Sequence, residues 1–169
     1  MLVIRKEIAV TIDRYDKSIL KALQKNGRLS NRDLADQVGL SAAPCWRRVK
    51  RLEDHGFIRN YIARLDPEKI GLKSIAFAEV ALDNHHPDTL ESFSRLIAGC
   101  PEILECHSVS GKCDYLLKII TMDMESYERF LSGKLLQTPG IRSVSTMFSL
   151  RETKLTLELP FSSEGLATR

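Results

Sequence analysis

The chain has 169 residues, 43% of them hydrophobic, enough for one ordinary domain or two small ones. It has no apolar run of the ~18 residues that a membrane span needs. Its start, Met1-Leu-Val-Ile-Arg-Lys-Glu-Ile8, lacks the long apolar core and small-residue cleavage site of a secretory leader.

The net charge of +3 conceals an asymmetry. Residues 1–66 hold 14 Lys/Arg against 8 Asp/Glu, and residues 67–169 hold 11 against 14. A basic first part joined to a mildly acidic remainder fits two readings from charge alone: only the first part meets a polyanion, or solvated charge has clustered by chance. Cys45, Cys100, Cys106 and Cys113 show neither a CxxC pair nor zinc spacing, so they read as cytosolic thiols with no metal and no disulfide framework.

In chain order, Ile12, Tyr15, Ile19 and Leu23 recur at helical spacing and predict a helix from about Asp13 to Lys25, stopped near Gly27. Ser30 is placed to cap a short second helix carrying Leu34, Ala35 and Val38. Asp33, three residues on, is placed to bond back to the Ser30 amide. Gly39 ends that helix. Ser41 opens a third, with Pro44 in its first turn and Gly56 beyond its end near His55. Two helices joined by a short turn containing Gly match a helix-turn-helix. Residues 57–65, rich in strand formers, predict a hairpin or wing, and Asp66–Leu72 a connector.

The remainder reads β-α-β-β-α-β. Strands are expected at Lys73–Leu82, Ile103–Ser110, Tyr115–Thr121 and Ile141–Leu150. Helices are expected from Asp88 to about Ala98 and from about Met124 to Leu136. Alternation of Leu155, Leu157 and Leu159 with polar residues predicts a further strand at Thr153–Leu159. The fold class is therefore α+β. A winged helix-turn-helix (12–65) and a linker (66–72) lead into a ferredoxin-like βαββαβ domain (73–160), with an N-terminal extension (1–11) and a tail (161–169). The helices cover one face of the sheet, so the other calls for a partner.

The third helix carries most of the chemistry. Cys45, Val49 and Leu52 fall on one apolar stripe. Ala43, Arg47 and Lys50 fall opposite, flanked by Trp46 and Arg51, and Arg48 leans toward the body. Arg reads guanine bidentately, Ala contacts a thymine methyl and Lys supplies charge, so this face suits the major groove of double-stranded DNA. Ser41, Ala43, Trp46, Arg47, Arg48, Lys50 and Arg51 are the candidate DNA-binding residues. Two readings stay open for Trp46, a DNA contact or a scaffold ring packed on the wing. For Arg48 they are a phosphate or an intramolecular carboxylate.

Asp13-Arg-Tyr-Asp16, Asn26-Gly-Arg-Leu-Ser30, Val38-Gly-Leu-Ser41, Pro44-Cys-Trp-Arg-Arg-Val49 and Gly56-Phe-Ile58 resemble the Lrp/AsnC ("feast/famine") transcription regulators. Ser108-Val-Ser-Gly111, Asp114-Tyr-Leu-Leu-Lys118 and Pro139-Gly-Ile141 resemble that family's effector domain. The likeness runs from Ile12 to Leu159. It implies that Asn31–Lys50 contacts DNA and that the effector domains pair sheet to sheet into a homodimer, which assembles to an octamer. It also implies an amino-acid effector bound between dimers beside the turn carrying Gly111 and Asp114. Gly111, Asp114, Tyr115, Met124 and Met147 are the candidate effector residues, Asp114 accepting from an α-ammonium and the methionines forming an adaptable wall. On spacing alone, the favoured reading of Gly111 and Asp114 is a tight turn with Asp capping its own backbone.

Lys112 and Cys113 depart from the family's usual acidic and aromatic pair. They leave the effector's identity open and make Cys113 a candidate redox-sensitive thiol. No base–nucleophile pair or phosphate loop accompanies these residues, so no catalytic residue and no cofactor are expected. An enzyme with a regulatory module fails for want of space beside a 65-residue helix-turn-helix, whereas a DNA-organising protein without effector control stays open. The expected location is the cytoplasm, with the nucleoid.

Overall fold

A computed structural model describes residues 11–160; most of the N-terminal extension and the 161–169 tail lie outside the described residues. Two compact units emerge. One comprises the described residues up to Arg64 together with those from Lys154 on, and the other is Leu65–Thr153.

The first unit contains α1 (Arg14–Lys25), α2 (Asn31–Val38) and α3 (Ala42–Asp54). Asp13 caps α1 by accepting from the Tyr15 and Asp16 amides, while the Asp16 carboxylate accepts from the Asp13 amide. This reciprocal box forms at α1 and not at α2, where the sequence predicts it. At α2 Ser30 Oγ accepts from the Asp33 amide, but the Asp33 carboxylate takes the Ser30 hydroxyl at 2.6 Å instead of its amide. Gly39 adopts φ +72°, and the Asn31 side chain donates to the Ala42 carbonyl at 2.9 Å, fixing the turn between α2 and α3. Ser41 holds the cap position of α3 without a side-chain bond. Ile19, Leu20, Leu34, Ala35, Cys45 and Leu52 form the core, with Ile12 and Ala22.

Residues 57–65 form no ladder among the described residues, so the predicted hairpin is not present there; its strand formers Tyr61, Ile62 and Leu65 stay exposed. The predicted strand at Thr153–Leu159 likewise pairs with no other strand among the described residues. Instead the Leu159 amide donates to Gln24 Oε1 at 2.7 Å, which ties this segment to α1.

The second unit contains β1 (Ser74–Leu82), α4 (Pro87–Gly99), β2 (Ile103–Ser108), β3 (Tyr115–Thr121), α5 (Met124–Phe130) and β4 (Ile141–Phe148), after a 3-10 turn at Glu68–Ile70. The sheet order β2-β3-β1-β4, antiparallel throughout, is the ferredoxin-like arrangement expected from the element order. The last part of the predicted second helix, Leu131–Leu135, is a π-helical turn. Ala76, Ala78, Val80 and Leu82 from β1 and Leu117 and Ile119 from β3 face the helices, where Phe93, Tyr127, Phe130 and Leu135 complete the core. Phe77, Glu79, Leu116, Lys118, Ser145 and Met147 occupy the opposite face, Phe77 between Lys118 and Met147 in the register.

Candidate nucleic-acid interface and ligand site

Residue choice along α3 explains its two faces. Cys45 and Leu52 are fully buried and Val49 half-buried, which fixes the rotation of the helix. Ala43, Trp46, Arg47 and Lys50 are then exposed. Arg47 makes no ion pair among the described residues, whereas Lys50 pairs with Asp54 at 3.0 Å. Trp46 is 57% exposed, which is compatible with both of its readings. It borders a shallow cavity of about 180 Å³ that Val49, Lys50 and Tyr61 also line.

Arg48 and Arg51 turn away from that outward face. Arg48 Nη1 lies 2.7 Å from Asp13 and 2.9 Å from Asp16, the intramolecular carboxylates that one of its two readings calls for. Arg51 Nη2 lies 2.5 Å from Asp16. Asp16 closes one of the motifs that carry the family resemblance but is not among the candidate site residues read from the sequence. Its signal is nonetheless there: it lies one turn before Ile19 and Leu20 on the apolar stripe of α1, where a carboxylate needs cationic partners.

Tyr61 donates to Glu53 Oε1 at 3.1 Å. Loss of water around its hydroxyl, reinforced by that carboxylate, pushes the phenol up to about 12 although the residue as a whole stays half-exposed. Because the folded state raises this value, the Tyr61 contribution to stability is complete below pH ~10 and is lost as pH rises toward about 12. Ultraviolet titration is expected to show two tyrosines ionising late in the wild type, Tyr61 and the buried Tyr127, and one fewer in Tyr61→Phe. Identical curves would count against this contact.

At one end of the sheet the turn from Gly111 to Asp114 meets the loop that follows β1. Gly111 has φ +137°, a region that favours glycine. The Asp114 amide donates to the Val80 carbonyl at 2.9 Å, and its carboxylate accepts from the Leu82 amide at 2.7 Å and contacts His85 Nε2 at 3.0 Å. The Leu82 bond, helped by His85 and Arg142, holds the Asp114 carboxyl below the usual carboxylate range. The Asp114 carboxylate thus braces the end of β1 and the loop after it and does not cap its own turn, and part of its acceptor capacity is already committed. Tyr115 follows directly and stacks on Phe93, with ring centroids 4.4 Å apart.

Met124 and Met147 do not join this corner within one chain. Met124 follows the far end of β3, about 20 Å along a seven-residue strand from Asp114. Met147 pairs with Phe77 on the outer sheet face. Among the described residues, no group of three or more His, Cys, Asp or Glu could hold a metal ion, and no helix is long and apolar enough to cross a membrane.

Residues 12–59 match a winged helix-turn-helix DNA-binding model, and residues 75–159 match the Lrp/AsnC ligand binding domain. The chain is 42% identical over 150 residues to the Leucine-responsive regulatory proteins of Escherichia coli and Salmonella typhimurium, covering 89% of this chain and 92% of theirs. A transcriptional regulator of Neisseria meningitidis, solved as its L-Met complex, superposes with a TM-score of 0.86 at 40% identity, covering 89% of this chain and 97% of that one. An AsnC family regulator from Agrobacterium tumefaciens gives a TM-score of 0.83 at 38% identity, covering 88% and 97%. The chain belongs to the Lrp/AsnC family: it is a transcription regulator that joins a DNA-binding helix-turn-helix to an α+β ligand-binding domain.

Proposed function

We propose that the outward face of α3, with Ala43, Arg47 and Lys50 at its centre and Ser41 and Trp46 beside it, reads operator bases in the major groove. The observation that carries this reading is the division of α3 into a buried Cys45–Leu52 stripe and an opposite face where Arg47 is exposed with no ion-pair partner among the described residues. Arg47→Ala is expected to weaken binding to a duplex selected from a randomised pool by about 1–3 kcal/mol and to relax its sequence preference. Binding and specificity equal to wild type would refute the assignment.

The effector is an amino acid, held at the corner formed by Gly111, Asp114 and Tyr115. The L-Met complex of the Neisseria relative supports this class. Met124 and Met147 belong to such a site only if another copy supplies them. Dimers form through the outer sheet face, where Phe77 and Leu116 are only half-buried and Met147 is exposed, and associate further toward an octamer. The chain works without catalysis, as a cytoplasmic DNA-binding regulator.

A further inference from the structure

Among the described residues, Asp16 is the one acidic side chain in the helical core. It is fully buried, yet both of its oxygens serve α3: Oδ1 accepts from Arg48 Nη1 at 2.9 Å and Oδ2 from Arg51 Nη2 at 2.5 Å. Oδ2 also takes the Asp13 amide at 3.0 Å. Asp13 Oδ2 accepts from the same Arg48 nitrogen, and the Arg48 guanidinium lies 5.4 Å from the centre of the Tyr15 ring. Two carboxylates at the start of α1 thus hold two guanidinium groups of α3 in an electrically balanced set.

A buried ion pair contributes little net stability, since desolvation offsets most of its attraction. What a set of this kind supplies is direction. Apolar contacts between helices tolerate small rotations, but charge-assisted bonds from two arginines three residues apart fix both the rotation and the tilt of α3. Each such bond draws a guanidinium toward α1 and away from the outward face that holds Ala43, Arg47 and Lys50.

We propose that Asp16 is a positioning residue for DNA reading: through Arg48 and Arg51 it sets the angle at which α3 presents Arg47, and those two arginines act as internal struts, not DNA contacts. The inference rests on the reading of α3 as the helix that enters the groove.

The test uses the full chain with a duplex selected by the wild type from a randomised pool and a shuffled duplex of equal length, each titrated over a salt series. A strut and a phosphate ligand differ in the salt slope, because removing one cation that neutralises a phosphate reduces the slope by about one. Asp16→Asn and Arg51→Met are both expected to keep the wild-type slope while the selected-to-shuffled affinity ratio falls about tenfold or more, comparable to mismatching one base pair of the site. A slope lowered by about one in Arg51→Met would show that Arg51 binds a phosphate and overturn the strut. An unchanged ratio in both variants would overturn the positioning role. If circular dichroism shows that Asp16→Asn does not fold, Arg51→Met and Arg48→Met, whose side chains are 41% and 27% exposed in the wild type, decide the matter alone. Failure of the wild type to select any duplex would instead remove the reading of α3, and the inference with it.

Discussion

Gly140→Ala is expected to destabilise the protein by several kcal/mol. Gly140 sits just before β4 with φ +89°, where an L side chain costs roughly 1–2 kcal/mol. Its carbonyl accepts from the Asp83 amide at 2.8 Å, so the backbone is not free to rotate away from that conformation. A Cβ at this position would overlap Thr89 Cγ2 on α4 and crowd Thr89 Cβ and Oγ1, at 3.3 Å each. Thr89 in turn is held by its hydroxyl, which donates to Asn84 Oδ1 at 2.9 Å. Overpacking of this kind adds about 1–3 kcal/mol. The double variant Gly140→Ala with Thr89→Ala removes the overlap but keeps the backbone strain, so it is expected to recover about half the loss. Denaturant unfolding of the four proteins separates the two components. Full additivity of the two single effects would show that Gly140 and Thr89 are not in conflict.

The second large effect is expected at Asp114. Removing its carboxylate with Asp114→Ala leaves the Leu82 amide, on a residue only 3% exposed, without its acceptor, which costs about 1–3 kcal/mol. Because the folded state lowers the Asp114 pKa, its contribution is present above pH ~4 and is lost as pH falls through the folded value. Asp114→Asn separates the structural role from ligand binding, since its amide oxygen still accepts from Leu82 but it carries no charge. Calorimetry with the amino-acid set is expected to find a ligand for the wild type and about tenfold weaker binding, or ~1.4 kcal/mol, for Asp114→Asn. If Asp114→Asn binds as tightly as wild type, Asp114 only braces the turn. If no amino acid binds the wild type, the proposed effector class is wrong.

The regular elements are legible in the sequence because their signals are local. Helical spacing from about Asp13, caps at Ser30 and Ser41 and the glycines at 39 and 56 bound the helices to within a residue or two, and apolar runs mark the four strands. What fails depends on partners. Leu155, Leu157 and Leu159 alternate as a strand should, but alternation describes one edge and a ladder needs two. The hairpin expected at residues 57–65 forms no ladder among the described residues either, although the model that matches residues 12–59 is a winged one. Grouping Met124 with Gly111 does not hold within one chain: chain distance between them is short, yet β3 runs the full length of the sheet between them. Arg48 is visible in the sequence as a body-facing arginine. Arg51, which the helical projection places beside the DNA face, instead joins Asp16 in one cluster spanning 35 residues of sequence. No local period reports such a pairing. A carboxylate on the apolar stripe of α1 is the only warning.

The four free thiols are graded by depth, and that grading makes the protein its own unfolding recorder. Cys45 lies at the centre of the helical core and Cys100 against the helix-covered face of the sheet. Burial pushes both thiols up, away from the reactive thiolate. Cys113 stands in the turn before Asp114, only half-buried. Cys106 on β2 is half-buried too, so a pulse of an alkylating reagent reaches Cys106 and Cys113 in the native protein before the buried pair. Cys45 is marked only when the helical unit opens, and Cys100 only when the sheet unit does. Mass analysis of the labelled peptides would date the opening of each unit separately, without any engineered probe.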